Sequence, residues 1–207
     1  MNKGKNEIWG VVRWGVMASV LMVSFLLSGG RAGAADIFQI DRSHSSIGFA
    51  LKHLTISTVT GEFTDYSGTI QYDAKDPAAF TAEVMIQAAT IDTHQKKRDD
   101  HLRGADFFDT EKFPIISFKS KKCASDANGY LLTGDLTMHG VTKEISIPLT
   151  ISGPVKSPMG SDVIGVSAET TINRQDFGVS WNKALDTGGF MVGDEVKISV
   201  NLEAHKK

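Results

Sequence analysis

The chain has 207 residues, 41% of them hydrophobic, with 22 Lys and Arg, 24 Asp and Glu, and a single cysteine. One cysteine excludes an internal disulfide, so the fold must rest on its core and its strand ladders. Four of the 22 basic residues but only one of the 24 acidic residues precede Ala35, which leaves 18 basic against 23 acidic side chains in residues 35–207 and argues against a nucleic-acid surface.

The first predicted element is an export signal. Lys3, Lys5 and Arg13 precede a 12-residue apolar run from Val16 to Leu27. That length suits a signal-peptide core and falls short of the roughly 20 apolar residues of a spanning helix. Ala32-x-Ala34 follows and predicts cleavage after Ala34, with Ala35 the neighbouring choice. The expected organisation is a signal over 1–34 and one domain over 35–207. An uncleaved anchor from Trp9 to Leu27 is the alternative, and Arg13 interrupts it. After cleavage no stable membrane insertion is expected, and the protein is expected in the periplasm or secreted.

From Ala35 onward the dominant rhythm is period two. Ile47, Phe49 and Leu51 form one apolar phase, and Phe80, Ala82, Val84 and Ile86 a second. Leu132, Gly134, Leu136 and Met138 follow, then Ile145, Ile147, Leu149 and Ile151, and last Val196, Ile198, Val200 and Leu202. Repeated one-sided alternation predicts antiparallel strands with one face on an apolar interior. Turn signals separate the runs, and His139-Gly140 between two of them predicts a tight hairpin. About eight strands are expected. With no long helix to cover a sheet face, closure into a barrel or a sandwich hides the edges.

Two segments break the rhythm. Thr93–Asp109 is charged, with a short helix expected between His94 and Arg103 and ended by Gly104. Asn173–Gly193 is rich in glycine and aromatics, including Arg174, Phe177, Trp181 and Phe190.

An ordered series of short motifs runs through the chain. It begins with Asp41-x-x-His44-Ser45-x-Ile47-x-Phe49 and Lys52-His53-Leu54, followed by Gly61-x-Phe63 and Ile91-Asp92-Thr93. Arg98-Asp99-x-His101-Leu102, Asp106-Phe107-Phe108-Asp109 and Phe113-Pro114-x-Ile116-x-Phe118 come next. Gly134-x-Leu136-Thr137-Met138-His139-Gly140, Arg174-x-Asp176-Phe177-Gly178 and Val192-Gly193-Asp194-Glu195-Val196 complete it. Taken in order, the series resembles the YceI family of polyisoprenoid-binding periplasmic proteins over about residues 36–204. The resemblance implies an all-β fold, an eight-stranded antiparallel lipocalin-like barrel with a short helix. It further implies a long apolar pocket for an isoprenoid or other amphiphilic lipid. Several members look dimeric, so a homodimer is an expectation.

Residues on the apolar phases are the expected cavity wall: Phe49, Leu51, Phe63, Val84, Leu136, Met138, Ile147 and Ile198. The expected mouth, facing a head group, holds His53, Arg98, His101, Phe107, Phe108, Arg174 and Phe177. Cations beside aromatics suit an amphiphile, with apolar wall for the tail and donors at the rim for the head. The competing reading makes Arg98 the ion-pair partner of Asp99, Asp109 or Glu111 in a plug helix, and makes Arg174 structural.

No metal, cofactor or catalytic group is expected. His44, His53, His101 and His139 share no ligand spacing. His44 and His139 read as turn anchors. Ser43-His44-Ser45 places no base across space from a nucleophile, and Gly-x-Ser-x-Gly is absent. Asp99, Asp100 and Asp106 read as a solvated face or helix caps. The rivals are an isoprenoid-quinone carrier, a hydrolase or isomerase using His44 and His101, and an interaction module whose barrel is filled by its own side chains.

Overall fold

Strands with one apolar face need that face covered, and here the sheet covers it by closing on itself. The computed structural model describes residues 35–186 and 188–207, so the predicted export signal lies outside the described residues. Among the described residues the strands are β1 (Asp36–His53), β2 (Ser57–Phe63), β3 (Tyr66–Tyr72), β4 (Thr81–Gln87) and β5 (Ile91–Asp92). Helix α1 (Lys96–Arg103) follows, then β6 (Ile115–Asp126), β7 (Gly129–Met138), β8 (Val141–Lys156), β9 (Asp162–Asn173) and β10 (Val192–Lys206).

The neighbours run β10-β9-β8-β7-β6-β4-β3-β1, and β1 pairs again with β10. Eight antiparallel strands therefore form a closed barrel. The expectation of eight strands describes the barrel, while the described residues hold ten. The two additions arise because β1, at 18 residues, is long enough to serve two partners on one edge. Asp36–Gln39 pairs with β3, whereas Ile47–His53 pairs with β2, which in turn carries β5.

The β7–β8 hairpin turns on His139 and Gly140, with φ of 51° and 76°. Positive φ at both central residues is the type I′ pattern, whose twist matches the flanking strands. His139 Nδ1 also meets the Phe177 carbonyl oxygen at 3.2 Å. Helix α1 begins at Gln95, whose side-chain oxygen accepts from the Arg98 N–H at 2.6 Å, and ends at Gly104 as expected.

The core has two parts. Tyr72 meets Phe38 at a tilt and Phe80 edge to face at one end, with ring centroids 6.5 and 6.3 Å apart, and the three rings plug it. Phe63, Ile91, Ile116, Leu136, Met138, Ile172 and Phe177 form the second cluster toward the helix end. Cys123 is buried on β6, and burial pushes its thiol above the usual range, which suits an inert side chain.

Candidate functional site

The inward phases of the strands do not fill the barrel. A cavity of about 150 Å³ occupies the half nearer the aromatic plug. A second, of about 260 Å³, occupies the half nearer α1. Five residues border both: Phe49, Phe63, Met138, Ile172 and Ile198. They form a waist between an inner and an outer compartment.

Strand alternation builds the inner compartment. Val84, Leu136 and Ile147 line it, together with Phe80, Phe118, Leu149, Val166 and Val200. No charged side chain borders it, and Gly48, Thr170 and the Met138 thioether are its departures from hydrocarbon or aromatic lining. Aromatic packing builds the waist. Phe49 and Phe63 lie 5.9 Å apart, and Phe108 meets Phe63 edge-on at 5.9 Å. Gly61 makes room for this arrangement, since a Cβ there would fall 2.5 Å from the tip of the Phe49 ring. That close approach explains the Gly61-x-Phe63 motif.

The outer compartment is made differently. Leu51, His53, Val59 and Val196 come from strands; Arg98, His101 and Leu102 come from α1; Phe107 and Phe108 come from the segment after it. Arg174, Val179, Trp181 and Met191 come from the segment before β10. His101, Phe107 and Trp181 form an aromatic triangle with centroids 5.0, 5.1 and 5.2 Å apart. His101 Nε2 faces Asp106 Oδ2 at 2.9 Å, which fixes the ring across the mouth.

Arg98 is held by Thr93. Its Nε donates to Thr93 Oγ1 at 2.7 Å and its Nη2 to the Thr93 carbonyl at 2.9 Å. A guanidinium has five N–H groups, so three stay available. Thr93 Oγ1 donates in turn to Asp99 Oδ1 at 2.5 Å, and Asp99 also accepts from the Thr93 N–H at 2.9 Å. Asp99 is therefore buried inside this network and not on a solvated face. The anticipated Arg98 ion pair with Asp99, Asp109 or Glu111 is replaced by contacts to Thr93.

One residue expected at the mouth lies elsewhere, and another borders the mouth with its donors already used. Phe177 is only 2% exposed and borders neither compartment. The short helical turn Arg174–Phe177 folds its ring into the core cluster with Leu136, Met138 and Ile172. Arg174 borders the outer compartment but is 4% exposed and committed to backbone. It donates to the carbonyls of Gly193 at 2.9 Å, Val179 at 2.6 Å and Trp181 at 3.0 Å, and to Asp194 Oδ1 at 3.1 Å. Burial lowers its pKa and Asp194 opposes that shift. Its evident role is to hold the Val179–Trp181 segment against the start of β10.

Thr93, Trp181, Ile172 and Met191 escaped the sequence reading. Trp181 and Met191 lie in a segment without strand phase, and Thr93 reveals itself only through its hydrogen bonds. His44 and Asp41 meet at 2.7 Å at the other end of the barrel, consistent with a turn anchor.

A model described as YceI-like domain matches residues 38–204. A Staphylococcus aureus relative, UPF0312 protein SA2479, is 38% identical over 167 residues, covering 80% of this chain and 95% of its own. The crystal structure of Campylobacter jejuni YCEI protein is similar at a TM-score of 0.64 and 35% identity, over 75% of this chain and 90% of that one. A polyisoprenoid binding domain from Saccharophagus degradans shares the fold at a TM-score of 0.63 and 17% identity, over 84% of this chain and 99% of that one.

Proposed function

The chain belongs to the YceI-like domain family, and from that premise we propose that it is an exported carrier for an amphiphilic isoprenoid lipid. The observation that carries the proposal is the paired compartments: an inner one without a charged side chain, joined through an aromatic waist to an outer one bordered by Arg98 and His101. An isoprenoid tail fits the inner half and a polar head the outer half. The polyisoprenoid binding described for the Saccharophagus degradans domain supports the same reading. The family and these neighbours point to binding in preference to catalysis.

Relative magnitudes assign the roles. Burying roughly 500 Å² of apolar tail contributes about 12 kcal/mol before the costs of association. A charged hydrogen bond to a head group contributes about 1.5–3 kcal/mol. The tail therefore sets affinity, while Arg98 sets head-group preference. Ile56, 83% exposed just beyond His53, and Phe190, 57% exposed beside Met191, give the mouth an apolar rim. Such a rim suits loading from a membrane surface. The reading places this role in the periplasm or outside the cell, in line with the export signal predicted from the N-terminal sequence.

Native mass spectrometry of the purified protein, followed by solvent extraction, tests the proposal. A bound polyprenyl lipid is the expected result; a protein that purifies and reconstitutes only without lipid overturns it. The triangle of His101, Phe107 and Trp181 favours one second reading, a flat quinone head stacked at the mouth. A quinone shows in the ultraviolet spectrum of the extract, and a polyprenyl phosphate does not.

A further inference from the structure

The far end of the barrel carries a second group of side chains that lipid binding does not use. Asp41 on β1 pairs in register with Glu203 on β10. The register then jumps to Ser46 opposite Asn201, so residues 42–45 of β1 face a single residue of β10. This bulge brings His44 back over the Asp41–Glu203 pair, while His205 approaches from β10. We propose that Asp41, His44, Glu203 and His205 bind one divalent first-row transition-metal cation, of the Zn(II) class, across the seam that closes the barrel.

The donor atoms alternate nitrogen and oxygen around a ring. Asp41 Oδ2 lies 2.7 Å from His44 Nδ1 and 3.7 Å from His205 Nε2. Glu203 Oε1 lies 3.8 Å from His44 Nδ1 and 3.0 Å from His205 Nε2. Each carboxylate oxygen thus stands between the same two imidazole nitrogens. The set whose ligand atoms all lie within 4.8 Å of one another is Asp41, His44 and Glu203, so these three are the first ligands of the ion. His205, 3.0 Å from Glu203 Oε1, has to swing inward to complete a tetrahedron, in which ligands at about 2.0–2.1 Å stand roughly 3.3 Å apart. Two imidazoles with two carboxylates suit Zn(II) and its neighbours, whereas calcium and magnesium take oxygen ligands.

The surroundings hold these atoms in place. Asp41 Oδ1 accepts from the Ser43 N–H at 2.9 Å, which turns Oδ2 toward the two histidines. Ser45 Oγ donates to the Asp41 carbonyl at 2.6 Å and accepts from the Glu203 N–H at 3.0 Å, pinning the bulge to β10. Ser161 Oγ meets His205 Nδ1 at 3.3 Å, which orients that ring with Nε2 toward Glu203. Outer-shell partners of this kind orient imidazole ligands in metal sites. The ring also lies on the outer face, reachable from solvent: His44 is 66% exposed. Sequence spacing conceals it, because His44 and His205 are 161 positions apart and only barrel closure joins them.

Calorimetric titration of the purified, chelator-treated protein with zinc sulfate is the test. One Zn(II) per chain is expected, with affinity reduced about tenfold or more in His44→Gln, His205→Gln and Glu203→Gln and unchanged in His94→Gln. The melting temperature should rise with zinc concentration in the parent and not in His44→Gln. Should those variants misfold, the parent alone decides: Co(II) should perturb the ring resonances of His44 and His205 and leave those of His53 and His94 unmoved. Absent one-to-one binding, equal zinc affinity in all variants (an adventitious ion only), or Co(II) perturbation at His94 in place of His44 and His205 overturns the site. Lipid occupancy, read independently by mass spectrometry, belongs to the barrel interior, whereas this site lies on the outer face, and it is indifferent to this result.

Discussion

Toward the aromatic plug the barrel wall is made by strands, with Phe80 just ahead of β4; toward the mouth it is made by strands, one helix and two irregular segments. The inner compartment follows from alternation, so its wall is hydrocarbon and aromatic nearly throughout. The outer compartment takes Arg98 and His101 from α1 and Trp181 from the segment ahead of β10. Its side chains are held by two hydrogen-bond networks, one through Thr93 and Asp99 and one through Arg174. One half thus offers general apolar burial and the other offers directed polar contacts. In a site for an amphiphile, affinity and selectivity are thereby assigned to different stretches of chain, and each can be disturbed without the other.

The largest expected effect breaks the inner half. Ile147→Asp places a carboxylate where no side chain can pair with it, and should cost about 3–5 kcal/mol in stability. Urea unfolding reads the cost. A variant that stays folded and binds lipid normally contradicts the dry inner wall.

Next comes Arg174→Met, which keeps most of the side-chain volume and removes the donors. Each carbonyl left buried and unpaired costs about 1–3 kcal/mol. The melting temperature should fall and every ligand should weaken alike, because the Val179–Trp181 wall loosens. Selective loss of charged ligands instead would make Arg174 a head-group residue.

Arg98→Ala tests the other role. It should lower the preference for a phosphate over a neutral head by about 1.5–3 kcal/mol and leave tail-driven binding largely intact. Stability and two-ligand selectivity are measured on the same variant; lost stability with unchanged selectivity returns Arg98 to a purely structural part.

Tail length probes the inner half gently. Each methylene removed should weaken binding by about 0.8 kcal/mol, equally for neutral and charged heads. Unequal slopes in a calorimetric series would show that the two halves are coupled.

The smallest effect concerns α1. Lys96, and after it Arg103, hold the Asp100 carboxyl below its ordinary 3.8. An acid depressed in the folded state adds stability above its unfolded pKa and loses it as pH falls through the folded value. Parent protein should therefore lose a small increment of stability below about pH 4 that Asp100→Asn lacks. Acid-titrated thermal melts compare the two, and identical curves would remove that ion pair from the support of the mouth.

The strands were legible in the sequence because a strand's side-chain phase is local. Ile47, Leu136, Ile147 and Ile198 each sit on an alternation visible within a few residues, and all four border the inner compartment. The α1 helix was legible for a similar reason, since Gly104 and the charged run mark its limits. Barrel closure was not legible from the alternation, which is equally satisfied by a sandwich; it came from the ordered motifs and is realised in the β1–β10 pairing. The mouth was read only in part. Arg98, His101, Phe107 and Phe108 border it, but Phe177 turns into the core and Arg174 spends its donors on carbonyls.

What the sequence by itself determined is periodicity, helix ends, charge and the tight His139-Gly140 turn, all set within a few bonds along the chain. The tertiary structure alone decided which polar groups are already satisfied and which distant residues meet. Thr93 takes two donors of Arg98, and Gly61 yields its space to Phe49. His44 and His205 come together only where β1 closes against β10. Each of these depends on contacts between segments whose separation along the chain carries no trace of their distance in space.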